Sequence, residues 1–217
     1  MIAVVDYGMG NLRSMAKAIE HVGGDVTVTS DARALRAAER YVLPGVGAFG
    51  EAMANLRSTG IVDVLAEQVL EAGKPLLGVC LGMQLLARGS REHGRHAGLG
   101  WLEADVLPLA ATEPALRIPH TGWTAIELDA GPSSPFARIR PGEAFYFNHS
   151  LHVVPDDPAL VSARAEHGQP VVAAIEHRSI AATQFHPEKS QQAGLELLAD
   201  FLDWEPQRAQ AMRTSTP

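Results

Sequence analysis

The chain has 217 residues, 46% of them apolar, which is enough for one sizeable core and lies near the upper end of a single domain. Its 18 basic and 25 acidic residues leave a net charge of −7, which argues against a nucleic-acid or anionic-membrane surface. One cysteine excludes an internal disulfide and a multi-cysteine zinc site, and the start MIAVVDYGMGN has no basic or signal-length apolar run, so a cytoplasmic setting without a membrane is expected.

Ile2 to Val5 is a short β-branched strand closed by Asp6-Tyr7-Gly8. A helix follows from Asn11 to Glu20, with apolar residues at 12, 15, 16 and 19, and Gly23-Gly24 stops it. Val26 to Val28 alternates as a second strand, and Arg40 to Gly45 reads as a third that ends in a Pro-Gly break. A helix is expected from about Glu51 to Ala72, then an almost unbroken apolar strand over Lys74 to Val79, of the kind covered on both faces in a parallel sheet. After about Arg88 the texture changes: Gly and Pro recur, and short strands are expected at Ala104 to Leu109, Trp123 to Leu128 and Glu143 to Phe147. Val171 to Glu176 and Ile180 to Phe185 pair as a hairpin, and Ala193 to Trp204 has helical spacing. The expected fold is therefore α/β over residues 1–204, a mostly parallel central sheet flanked by helices with a strand-rich, partly antiparallel second half. The tail from Glu205 to Pro217 shows no core face and is expected to be disordered.

The most informative segment is Leu76 to Ala87: an apolar strand, a Gly78-Val79-Cys80-Leu81-Gly82 turn, and a helix start. Small residues two places before and after a nucleophile let the backbone turn sharply, exposing the side chain at the carboxyl edge of the sheet. The positive end of a helix favours a thiolate there, and the amide of Leu81 is available to an oxyanion. A lone cysteine is more often a buried apolar residue, but the flanking glycines and the strand-to-helix context outweigh that default.

Among nine histidines, His186 is the best base, since it ends a strand and has Glu188 two residues on, on the same side of an extended chain. Pro187 between them places the pair at the sheet's end. A second oxyanion donor is expected from Gly45, Val46 and Gly47 just beyond the third strand. Gly8-Met9-Gly10-Asn11 lacks the third glycine of a dinucleotide fingerprint, so no nucleotide cofactor is expected. His93 and His96 lie in a Gly-flanked segment without further ligands, so no metal is expected either.

Together, Gly78 to Gln84 and Phe185 to Glu188 resemble the class I, or triad, glutamine amidotransferases. Within these, Asp6 to Leu12, Pro44 to Phe49, Pro119 to Trp123, Tyr146 to Ser150 and His186 to Ser190 are similar to the glutaminase-subunit family of imidazole glycerol phosphate synthases, a likeness running from the first strand to about Trp204. The resemblance implies hydrolysis of L-glutamine at Cys80 and ammonia delivery to a separate (β/α)₈-barrel cyclase subunit in histidine biosynthesis, with no cofactor. It further implies that Gln84 and the backbone around Ser150 and Leu151 hold the glutamine head group, and that Asn11, His120, Trp123, Tyr146 and Lys189 lie toward the cyclase. The chain departs from the family at Thr121 and Thr124, where Met and Asn are common, and at Leu151, where an aromatic is common.

The glutaminase of pyridoxal phosphate synthesis is a sister reading, but it resembles a Pro-Gly-Gly-Glu-Ser loop and position 46 here is Val. A secreted γ-glutamyl hydrolase would need a signal peptide. A catalytically silent subunit of the same fold would be marked by a lost triad member, and all three are present.

Overall fold

The computed structural model describes residues 1–110 and 116–206, so the expectation for the tail beyond Pro206 lies outside the described residues. The first half alternates strand and helix: β1 (Ile2–Val5), α1 (Leu12–His21), β2 (Val26–Thr29), α2 (Ala32–Ala37), β3 (Arg40–Gly45), α3 (Phe49–Ser58), α4 (Val62–Ala66) and β4 (Leu76–Cys80). Cys80 leads directly into α5 (Leu81–Leu85). Then come β5 (Ala87–Ser90), β6 (His96–Ala97), β7 (Leu102–Pro108), β8 (His120–Leu128), β9 (Ala144–His149), β10 (Leu151–Pro155), β11 (Val161–Glu166), β12 (Pro170–His177), β13 (Ile180–Thr183) and α6 (Gln191–Asp203).

The large sheet has the order β2-β1-β3-β4-β13-β12-β11-β8-β9. From β2 to β13 all neighbours are parallel, and from β13 onward all are antiparallel. The parallel strands alternate between two apolar layers. Ile2, Val4, Val42, Leu77 and Val79 face the layer of Met15 and Ile19 from α1 and Leu198 and Phe201 from α6, whereas Ala3, Val5, Tyr41, Leu43 and Leu76 face that of Phe49, Met53, Leu56 and Leu65. A second sheet of order β10-β7-β5-β6 lies beside it, and Ser150 is the single residue between β9 and β10, where the chain passes from one sheet to the other.

One expectation needs correction. The helix expected over 51–72 is broken, because Thr59 and Gly60 close the end of α3 with Gly60 N–H returning to the Arg57 carbonyl. The chain restarts as α4 and widens into a π-type turn over Glu67–Glu71. Helix α5, which follows Cys80, has only five residues, all buried, because the chain goes at once into β5. The short α2, β5, β6, β10 and β11 have no counterpart in the sequence expectations: α2 is a brief helix capped by the Asp31 side chain, and the strands are defined by pairing partners rather than periodicity. Among the described residues no helix is long and apolar enough to cross a membrane.

Candidate active site

Cys80 stands at the carboxyl end of β4 with φ 54° and ψ −110°, a conformation that a non-glycine residue adopts only when its surroundings impose it. The imposition comes from both sides. Gly45 of β3 is the register partner of Cys80, and a side chain at Gly82 would put its Cβ 1.8 Å from the Leu43 carbonyl oxygen. The short helix therefore lies against β3 with no room for a methyl, and the sulfur is turned out at the sheet's edge.

The same edge carries the histidine expected to serve as base. β13 is the parallel neighbour of β4, with Thr183 beside Val79, and three residues further on the chain reaches His186, whose side chain is 3% exposed. Its Nδ1 donates to Glu188 Oε1 at 2.9 Å, which leaves Nε2 as the ring nitrogen free to face the cavity that Cys80 and His186 both line. Burial alone would depress the imidazolium, but the hydrogen bond to Glu188 and the proximity of Cys80 and the Glu188 carboxylate outweigh it and raise the His186 pKa to about 9. The His186 backbone is held in turn by Tyr146, whose carbonyl accepts from His186 N–H at 2.9 Å.

Val46 and Gly47 line a cavity of about 240 Å³ together with Cys80, Leu81, Gln84 and His186. Gly47 has φ +100°, a conformation natural to glycine. Gly45 lies one step behind, inside β3. Its neighbour Pro44 offers its carbonyl to the buried Tyr7 hydroxyl at 2.8 Å, and burial together with the Cys80 charge raises the Tyr7 pKa, so Tyr7 remains a donor.

The far wall is made by the second half: Pro119, Asn148, His149, Ser150 and Leu151. The Ser150 carbonyl is taken by Leu109 N–H at 2.9 Å. The Leu151 carbonyl accepts from Gln84 Nε2 at 3.0 Å and from His149 Nδ1 at 2.8 Å. Because a carbonyl only accepts, the rest of the chain is fixed: His149 Nε2 accepts from His120 Nδ1 at 3.0 Å, and His120 Nε2 accepts from the Thr124 hydroxyl at 2.8 Å. Burial lowers the pKa of His149 to about 3 and of His120 to about 4, so both rings are neutral at pH 7.

Of the residues expected toward a partner, Trp123 is 49% exposed and packs edge-on against Tyr146, with ring centroids 6.1 Å apart. Lys189 Nζ lies 5.9 Å from the Tyr146 ring centroid. Asn11 is half-buried at the start of α1, while His120 is buried beneath this face, stacked between Phe147 and His167. His93 is exposed, His96 sits in β6 over Gly50 of α3, and among the described residues no three His, Cys, Asp or Glu side chains gather as metal ligands.

Four residues at the site were not singled out from the sequence. Glu92 lines the cavity and its carboxylate accepts from Phe49 N–H at 2.5 Å. Tyr7 and His149 have the roles above, and Gln184 lies fully buried with its amide at the sulfur. The available signal for Gln184 was a long amide within the apolar strand run that leads to His186.

A profile of the family described as glutamine amidotransferase class-I matches residues 3–204. The chain is 47% identical to imidazole glycerol phosphate synthase subunit HisH of Rhodospirillum rubrum, a match covering 94% of this chain and 99% of that protein. The subunit of the same name from Aquifex aeolicus is 46% identical over 91% of this chain and 94% of its own length. A crystal structure of glutamine amidotransferase matches with a TM-score of 0.73 at 20% identity, covering 94% and 98% of the two chains. The structure of PurLQS from Thermotoga maritima does so with a TM-score of 0.71 at 21% identity, covering 94% and 97%. At such identity the two structures speak for the fold alone.

Proposed function

Because this chain belongs to the class-I glutamine amidotransferase family, we propose that it is the glutaminase subunit of an imidazole glycerol phosphate synthase, hydrolysing L-glutamine to glutamate and ammonia. The ammonia passes to a (β/α)₈-barrel cyclase subunit in histidine biosynthesis, in the cytoplasm. The observation that carries the chemistry is the meeting of Cys80, on its strained turn, with the His186–Glu188 pair at one cavity.

The Cys80 sulfur attacks the glutamine carboxamide carbon as the thiolate. The oxyanion of the tetrahedral intermediate is held by the Leu81 amide and by a peptide N–H of the Gly45-Val46-Gly47 loop. As the C–N bond breaks, the His186 imidazolium gives its proton to the departing nitrogen, which leaves as ammonia. Neutral His186 then takes a proton from the water that attacks the thioester, the C–S bond breaks, and glutamate departs with thiolate and imidazolium restored. Glu188 keeps Nδ1 protonated and Nε2 toward the sulfur throughout. Gln84 and the Ser150-Leu151 backbone seat the substrate, and the Glu92 carboxylate complements its α-ammonium.

The exposed Trp123, with Tyr146, Lys189 and Asn11, forms the cyclase-facing surface, and His120 supports it from beneath. Its position is apt, since Tyr146 shares a hydrogen bond with the base. The decisive experiment measures glutamate release by the free chain, by its complex with a cyclase, and by that complex with the cyclase's nucleotide bound. Glutamine-dependent turnover that requires Cys80, and labelling of Cys80 by a diazo-ketone glutamine analogue, are the expected results. Turnover retained in Cys80→Ser would refute the assignment.

A further inference from the structure

Gln184 is fully buried, and a buried amide is tolerated only when both of its ends are bonded. Its Oε1 accepts from Gln84 Nε2 at 3.1 Å, and its Nε2 lies 3.7 Å from the Cys80 sulfur. The direction of this amide is not free. The Leu151 carbonyl can only accept, so the atom of Gln84 at 3.0 Å from it must be nitrogen. That same nitrogen faces Gln184, so the facing atom there must be oxygen, and the atom turned to the sulfur must be the NH₂. Among the described residues this NH₂ has no acceptor besides the sulfur.

We propose that Gln184 is a further functional residue of glutamine hydrolysis: its amide donates to the Cys80 sulfur, and Gln84 with the Leu151 carbonyl aims it. The inference rests on the glutaminase reading above. Its chemistry is simple. A donor behind the sulfur stabilises negative charge on it, and that charge is present before attack and again when the thioester is cleaved, but not in the acyl-enzyme between. The donor therefore acts on the reacting atom in both half-reactions. It also makes Gln84 bifunctional, since one side chain lines the substrate cavity and orients the group behind the nucleophile.

The test uses Gln184→Glu and Gln184→Met. The first keeps the acceptor for Gln84 but turns an oxygen toward the sulfur; the second keeps the bulk and removes both the donor to the sulfur and the acceptor for Gln84. Two rates are read on the full chain: alkylation of its single cysteine by iodoacetamide, and glutaminase kcat and KM in the cyclase complex. Each variant is expected to lose about ten- to a hundredfold in both rates, with Glu at least as severe as Met and KM changed by less than about threefold. Thiolate absorbance in the ultraviolet should fall in parallel, while the melting temperature of the Met variant stays near that of the parent. Wild-type alkylation rates in a folded variant, a raised KM at unchanged kcat, or loss of the fold in both variants would overturn the proposal. Alkylation requires no glutamine, so a parent chain that alkylates readily yet releases no glutamate would sink the glutaminase reading and not the sulfur contact.

Discussion

The two walls of the cavity hold their groups by different means. The parallel half places Cys80 and the Val46–Gly47 peptide with backbone geometry: a strand end at φ 54°, a glycine at φ +100°, and a contact at Gly82 too close for a side chain. The antiparallel half places its groups with a directed chain of hydrogen bonds from Thr124 through His120 and His149 to the Leu151 carbonyl, where Gln84 joins it. Backbone placement is indifferent to side-chain chemistry but intolerant of added volume. A hydrogen-bond chain responds in the opposite way: it fails when a proton or an amide is altered.

The largest effects should come from the reacting groups themselves, where the two walls meet. On the proposed mechanism His186→Asn lowers kcat by on the order of 10⁴ to 10⁶, nearly as far as loss of Cys80, because the base moves protons in both half-reactions. Glu188→Gln is expected to be roughly ten- to a hundredfold milder, since the carboxylate only orients the ring. Steady-state kinetics of the two variants decide the order, and a more damaging Glu188→Gln would reverse the roles. Backbone placement is broken most directly by Gly82→Ala. With the added Cβ 1.8 Å from the Leu43 carbonyl oxygen, either α5 or β3 must move, and a stability loss of more than about 3 kcal/mol is expected in chemical denaturation. A variant with unchanged stability and turnover would show that the close approach does not shape the turn.

The same contrast explains what could be read in the sequence. The parallel half and the meeting of Cys80 with the His186–Glu188 pair were legible because their determinants are local. The glycines flanking Cys80, the strand run before it, and the two-residue step from His186 to Glu188 each lie within a short segment. The Arg40–Gly45 strand and the hairpin around His177 to Ser179 were legible for the same reason. What stayed hidden is long-range. Gln184 and Gln84 are 100 positions apart, and His120 and His149 are 29 apart on neighbouring antiparallel strands. No periodicity announces such pairs, and Glu92 sits in a Gly-flanked segment that carries no signal until α3 is packed against it. The helix expected over 51–72 is broken for a different reason: its apolar spacing persists across Thr59 and Gly60 although the backbone does not.

A glutaminase that feeds a second active site gains from remaining slow until that site is filled, and the Gly45-Val46-Gly47 loop is suited to provide the delay. Glycines on either side let a peptide rotate at low cost, and loss of one oxyanion donor is worth about 2.7 to 4 kcal/mol, or on the order of a hundred- to a thousandfold in rate. The free chain should therefore hydrolyse glutamine slowly, and the nucleotide-bound cyclase complex should raise kcat by about that factor. Equal kcat in the free chain, the complex and the nucleotide-bound complex would rule out a gated donor.

The smallest expected effect separates the two walls by pH. His149 and His120 have pKa values near 3 and 4 in the folded chain, against about 6.5 when unfolded, so below pH 6.5 the unfolded state binds protons that the folded state does not. Stability contributed by their neutral rings is thus lost progressively as pH falls from about 6.5. His186 has the opposite sign: with a folded value of about 9, its contribution is complete below about 6.5 and is lost as pH rises through 9. His149 and His120, on the antiparallel wall, accordingly contribute to the acid limb of the stability profile, and His186 contributes to the alkaline limb. From pH 7 to pH 5 each buried histidine should cost about 1 to 2 kcal/mol, within reach of urea unfolding curves. His149→Gln removes one titrating ring, so its loss of stability over that interval should be smaller than the parent's by that amount. His186→Asn should leave the acid limb as it is and flatten the alkaline one. If His149→Gln instead lost as much as the parent between pH 7 and pH 5, the neutral histidine chain would not be what ties the Leu151 carbonyl to the sheet.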